Sequence, residues 1–250
     1  MKESSQLQHP DNNLLIRIHS EGISYVITDE NDEVVLQQLI NVPAGKLNEV
    51  QFFEHFFEQP ELRVSDENVL IVFENSHYKL IPNELFRQSD FNEFFELEFG
   101  KNEKTKLLYN LLPQWGAHLV FEVQEPLMNF FDKKYPEAEV DHHLFKLLKQ
   151  DVKRNSNAAF VYLRKDFVDL IVVNDNSLLL ANAFQTKTNE DICYFVLNAY
   201  EQLGLDTETF ALKILSENSA DSGLVALLKQ YVMKLEVRNY KLETCLPQAD

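Results

Sequence analysis

Arginine and lysine are the side chains that hold phosphates and carboxylates. Two short hairpins of this chain carry them in places that call for an explanation. Arg17 stands inside an apolar run at 14–19, and Arg164 and Lys165 open the turn Arg164-Lys165-Asp166 between two further apolar runs. Brought together, Arg17, Arg164 and Lys165 could bind an anion without a metal. The plainer reading leaves Arg164 and Lys165 as exposed turn residues. Arg17, flanked by apolar neighbours, either pairs with a carboxylate, for which Asp169 is a candidate, or meets a ligand. Asp141-His142-His143 has the residue types of a metal cluster, but successive residues of a strand point to opposite faces, so one shared ion is not expected. No Ser-His-Asp or Cys-His arrangement has a local signature, and Cys193 reads as inert packing. No catalytic residue and no metal ligand is assigned.

These residues need strands to hold them. Residues 14–19 and 23–28 read as strands around a turn at Glu21-Gly22, and 34–42 as a third after a polar turn. Residues 47–57 then place Leu47, Val50, Phe53, Phe56 and Phe57 on one helical face, with Pro60 as the stop. The same order returns later. Strands are predicted at 159–163, 167–173 and 178–184, then a helix at 189–203 with Thr188 or Asn189 as cap and Gly204 as stop. The offset is roughly 145 residues, too long for a solenoid period and suited to a duplicated domain. Between the copies the pattern predicts strands at 69–73 and 78–81 and a helical turn after Pro82. A short helix follows at 90–99, with Asp90 and Glu93 as a capping box. Then come a strand pair at 107–112 and 118–123, a helix from Pro126 to Tyr135, a strand at 138–142 and a helix at 144–152. A strand at 211–215, a helix from Asp221 or Ser222 to Met233 and a strand at 235–240 close the chain. The domain reading is a disordered lead-in over 1–13, a first lobe with an insert over 14–154, a second lobe over 155–242 and a tail over 243–250. Asn155 to Asn157 mark the boundary.

Composition narrows the functions. The formal charge is −17, which disfavours nucleic acid and anionic membrane, because both bind through Lys and Arg. Only 6 glycines are present, few for loops that must bring backbone against phosphates. The 2 cysteines, Cys193 and Cys245, form neither a disulfide framework nor a zinc pattern. The polar start carries no signal core, and no stretch is long enough to cross a bilayer. A cytoplasmic location is expected. The 19 phenylalanines point to aromatic cores. Phe52 and Phe57, and the group Phe91, Phe94 and Phe95 in the insert, read either as core or as rings that reach a partner surface.

The doubled strand-strand-strand-helix unit resembles the actin-like ATPases, the superfamily of sugar kinases, Hsp70 and the bacterial proteins FtsA and PilM. The stretch Leu178-Leu179-Leu180-Ala181-Asn182-Ala183-Phe184, followed by Glu190-Asp191-Ile192-Cys193-Tyr194, is similar to an uncharacterised bacterial family with that fold. The resemblance implies an α/β protein of two lobes, each a ribonuclease-H-like β-β-β-α unit. In active members the first hairpin carries an aspartate for magnesium and a glycine against the phosphates. Those positions fall here on Arg17 and His19. The second hairpin, with a second aspartate and a run of glycines, falls on Val161 to Asp169, where only Asp169 matches. The late Gly-Gly pair beside the adenosine falls on Leu215-Ser216-Glu217-Asn218-Ser219.

The resemblance therefore implies a scaffold without its usual chemistry. Magnesium prefers carboxylates and water, which Arg17 cannot replace, and side chains at 164–166 stand where phosphates would meet backbone. The expected function is that of a non-catalytic pseudo-ATPase, without a cofactor, that serves as a cytoplasmic scaffold for an unidentified protein partner; a homodimer stays open. The alternative is a nucleotide or anion sensor, or an ATPase with a non-standard cleft. Arg17, His19, Arg164, Lys165 and Asp169 are then the candidate cleft residues.

Overall fold

Alternation of side chains along short strands organises the chain into three sheets. The computed structural model describes residues 11–20, 22–42, 50–100, 102–217 and 219–240. The first ten residues of the expected lead-in, the tail, Cys245 and residues 43–49, with the start of the helix predicted from Leu47, lie outside them. β1 (Asn13–His19), β2 (Gly22–Thr28) and β3 (Val34–Asn41) pair antiparallel. β4 (Val69–Phe73) joins β1 in parallel, and β8 (Glu139–His142) joins β4 in parallel, giving the order β3-β2-β1-β4-β8. The second sheet repeats this. β9 (Ala158–Leu163), β10 (Phe167–Asn174) and β11 (Ser177–Gln185) form the antiparallel part, and β12 (Ala211–Ser216) and β13 (Leu235–Asn239) add in parallel, in the order β11-β10-β9-β12-β13. The duplication thus extends over five strands per lobe, two more than the sequence pattern alone marked.

Helices follow the third strand of each copy. α1 (Val50–Phe56) precedes the insert, whose own sheet of β5 (Tyr78–Pro82), β6 (Thr105–Leu112) and β7 (Ala117–Gln124) runs in the order β5-β7-β6. α2 (Phe91–Phe99) covers that sheet, α3 (Glu125–Lys134) follows it, and α4 (His143–Gln150) leads towards the second lobe. α5 (Asn189–Gln202) starts on the predicted cap. The Asp191 backbone N–H donates to Thr188 Oγ1 at 3.2 Å, and the Thr188 N–H donates to Asp191 Oδ2 at 3.0 Å. That reciprocal pair satisfies donors a helix start would otherwise leave bare. The box expected at Asp90 does not form: Asp90 makes no side-chain cap bond and instead accepts from Ser89 Oγ at 2.5 Å. α6 (Ser222–Leu228) ends well short of Met233, because the chain turns there to bury Val232 and to bond Met233 N–H to Thr207 O at 3.0 Å. Among the described residues no helix is long and apolar enough to cross a membrane.

Burial separates the two faces of the second sheet. Ala159, Val161, Val168, Leu170 and Val172 pack under α5 and α6. Their neighbours Phe160, Tyr162, Ile171 and Val173 belong instead to the large core that continues into the first lobe. Period-two alternation thus splits each strand between its own helices and the other lobe. Phe57 is fully buried against Phe130, Phe131 and Tyr135, so it is core and not a partner-facing ring. Phe95 is also buried, with Ile81 and Val120, so of its two readings the core one holds and the partner-surface one does not. The side chains of Phe52, Phe91 and Phe94 lie outside the described residues.

Gly22 shows where the first hairpin keeps a glycine and why. Its φ is +146°, and a Cβ there would lie 1.9 Å from the Ile40 carbonyl oxygen. β3 closes onto β2 only because that position has no side chain. Gly22→Ala should destabilise the fold by about 3 kcal/mol or more, combining backbone strain with overpacking. Urea unfolding of the two proteins tests this; equal midpoints would refute the close approach.

Candidate functional site

The two hairpins meet, and charge fills the space between them. Arg17 Nη2 lies 2.7 Å from Glu74 Oε2 and 2.6 Å from Glu217 Oε1, and Nη1 donates to Glu217 Oε2 at 3.2 Å. Arg164 Nη1 lies 2.6 Å from the same Glu74 Oε2 and 3.5 Å from Glu217 Oε1. The Tyr162 hydroxyl donates to Glu217 Oε1 at 2.8 Å, and the Arg164 guanidinium lies 3.6 Å above the Tyr162 ring. Beneath this group Asp169 accepts from the Tyr78 hydroxyl and from His143 Nε2, each at 2.8 Å, with Arg164 Nε 3.7 Å away. Arg17, Glu74, Tyr78 and His143 belong to the first lobe, and Tyr162, Arg164, Asp169 and Glu217 to the second. Every ion pair and hydrogen bond just described crosses between lobes, except Arg17 to Glu74 and the contacts of Arg164 and Tyr162 within the second.

Equivalent positions of the duplication supply the cluster. Arg17 lies opposite Ser24 and Val72, and Tyr162 opposite Asp169 and Leu215. Arg17 and Tyr162 therefore correspond, and both bond the Glu217 carboxylate. Glu74 and Glu217 correspond as well, each standing two residues beyond those strand partners. At the sequence level Glu74, Tyr78 and Tyr162 were not among the candidates, Glu217 appeared only within the late loop, and His143 only in the set weighed for a metal. Extending the repeat from its first helix to β4 and β12 is the signal that finds the two glutamates.

Several expectations need correction. Arg17 does pair with carboxylates, but they are Glu74 and Glu217, while Asp169 serves Tyr78, His143 and Arg164. The Arg164 side chain is 3% exposed, not an exposed turn residue, because Glu74 and the Tyr162 ring draw it inward. Lys165 is exposed, as that reading has it. His142 and His143 do not point to opposite faces. β8 ends at His142 and α4 starts at His143, so the strand rule lapses, and both buried rings lie with centroids 4.2 Å apart. His142 caps α4 by accepting from Leu144 N–H at 3.3 Å, and burial, with His143 and Arg164 nearby, pushes it well below the usual imidazole range. His19 is half-buried and lines, with Ser20, Glu74, His77, Glu122 and Asp166, a cleft of about 320 Å³ at the mouth of the cluster.

The junction gathers carboxylates as well as arginines. Arg17 occupies the strand position expected of a metal-binding carboxylate. Glu74, Glu122 and Asp166 would face the phosphates with negative charge. The glycine of the first hairpin is closed over by the Ile40 carbonyl. The charges are also firmly set. Burial by itself would raise the Glu74 carboxyl, but the Arg164 and Arg17 guanidiniums outweigh it and hold the group down at about 2. Burial and the neighbouring carboxylates push the Tyr78 and Tyr162 hydroxyls well above the usual phenol range, so both stay donors.

The two lobes have the actin-like ATPase fold. A crystal structure from Bacteroides thetaiotaomicron, described as a protein with actin-like ATPase fold and unknown function, matches with a TM-score of 0.81 at 22% identity, covering 98% of this chain and 96% of that one. The PilM–PilN type IV pilus biogenesis complex matches with a TM-score of 0.57 at 10% identity, covering 96% and 90%. The chain belongs to the DUF3822 family, described as a protein of unknown function, which matches residues 2–235. A comparison with curated proteins returns no match.

Because the folded Glu74 carboxyl sits at about 2 and an ordinary one at 4.5, its contribution is whole above pH 4.5 and is lost as pH falls through about 2. The linkage is worth about 3 kcal/mol. Glu74→Gln should unfold at lower urea concentration at pH 7 and should lose less further stability between pH 4.5 and 2 than the parent does. Parallel pH profiles for the two proteins would show that Glu74 is not held by the arginines.

Proposed function

We propose that this chain is a non-hydrolysing actin-like protein that acts through contacts with a protein partner. The observation that supports this reading is the pairing of Arg17 and Arg164 with Glu74 and Glu217 in the place where a nucleotide's phosphates would lie. Phosphoryl transfer depends on a positioned metal and on free groups that take up the developing charge. Here both guanidiniums are already paired with carboxylates, and Glu122 and Asp166 at the mouth oppose a long polyanion. The rival reading, a nucleotide sensor or ATPase with a non-standard cleft, needs those two arginines available to the ligand.

The partner side of the proposal rests on fold analogy alone. The PilM chain, which shares this scaffold, is known in complex with PilN. An acidic surface, at a formal −17, favours a basic partner segment over nucleic acid or an anionic membrane. A cytoplasmic location belongs to the same reading.

Melting the protein with and without magnesium and ATP tests the first half. A ligand at about 100 times its Kd adds roughly 2.7 kcal/mol, several degrees for a chain of this size. No rise in Tm and no phosphate release above the blank are expected. A rise of several degrees that Arg17→Ala removes would establish the sensor instead.

A further inference from the structure

We propose that Arg17, Arg164 and Tyr162 form a ready-made receptor for a compact oxyanion, that Glu217 occupies it as an internal ligand, and that inorganic phosphate or pyrophosphate takes its place when that carboxylate leaves. The inference rests on the reading that the cleft accepts no magnesium–nucleotide, and it goes beyond it by giving the site a metal-free ligand class.

Glu217 is the member of the cluster on the solvent side. Its side chain is 32% exposed, against 6% for Arg17, 3% for Arg164 and 11% for Glu74. It can leave without drawing the others out, because each has a second anchor. Glu74 holds Arg17 at 2.7 Å and Arg164 at 2.6 Å, and Tyr162 lies beneath the Arg164 guanidinium and against the Tyr240 ring. What remains is two forked cations and a phenol aimed at one point, with most of the ordering already done.

Glu217 also leaves that receptor short of acceptors. Among the described residues, buried Arg164 Nε and Nη2 find no hydrogen-bond partner, Nε lying 3.7 Å from Asp169 Oδ2. A carboxylate brings two oxygens, and Oε1 of Glu217 is already shared by Arg17 and Tyr162. A tetrahedral phosphate brings four, and guanidinium forks match them well. Glu122 and Asp166 at the mouth set the size limit. They tolerate a small anion seated against the arginines and oppose a long polyanion threaded past them.

The test compares Glu217→Ala and Glu217→Gln with the parent protein in EDTA, in chloride, phosphate, pyrophosphate or metal-free ATP at matched ionic strength. Both variants should melt below the parent in chloride, since a buried guanidinium loses its partner. Millimolar pyrophosphate should raise the Tm of Glu217→Ala by about 5 °C or more, phosphate less, and ATP least. Adding Arg17→Ala to Glu217→Ala should remove the rise. No rise in either variant, or a rise that persists without Arg17, would overturn the receptor. Should Glu217→Ala fail to fold in chloride, refolding in pyrophosphate decides: a cooperative melt supports the proposal and continued failure refutes it. Binding of magnesium–ATP by the parent would count against the non-hydrolysing reading and leave this result standing on its own.

Discussion

Two guanidiniums taken out of water must each find negative charge, and here each finds it on both sides of the junction. Arg17 pairs with Glu74 of its own lobe and Glu217 of the other, and Arg164 with Glu74 across the junction and Glu217 of its own lobe. A buried pair of this kind adds little net stability compared with apolar packing, but losing one partner strands the other at about 3–5 kcal/mol. The requirement that no charge stay unmatched therefore specifies how the lobes meet more than it strengthens them. The continuous apolar core around Phe160, Ile171 and Val173 supplies the attraction, and the charges set the register.

The duplication explains how so many polar groups converge. In each copy β1 or β9 is flanked by an antiparallel partner and a parallel one, so its last residues, and the residue after the parallel strand, arrive at the same edge. One copy places an arginine there and the other a tyrosine. Both copies place a glutamate after the parallel strand. The result is a junction with local symmetry in position and none in chemistry, which lets a cation from one side and a neutral donor from the other share one carboxylate.

Most elements were legible in the sequence because strands and amphipathic helices carry their own period. The Thr188 cap was legible for the same local reason, whereas the Asp90 box failed because Asp90 already has helical backbone angles, φ −100° and ψ −4°, unlike the extended N-cap Thr188. Arg17 was legible as a residue needing a partner. Its partners were not, since Glu217 lies 200 residues away and Glu74 lies 57. Nothing local marks a glutamate at the end of an apolar strand as half of a distant pair. The histidine pair misled because the strand rule was carried past the last strand residue: β8 ends at His142 as its pattern predicts, and His143, at a helix start, obeys a different geometry.

The cross-lobe pairing also has a mechanical meaning. In a two-lobed body the natural motion is a hinge about the connection between the halves. Swinging this one open would part Arg17 from Glu217 and Arg164 from Glu74 at once. Each arginine would keep the carboxylate of its own lobe, Glu74 or Glu217, so the resistance to opening comes from the apolar core the lobes share. The duplicated halves, which could have been jaws, are welded into a single girder.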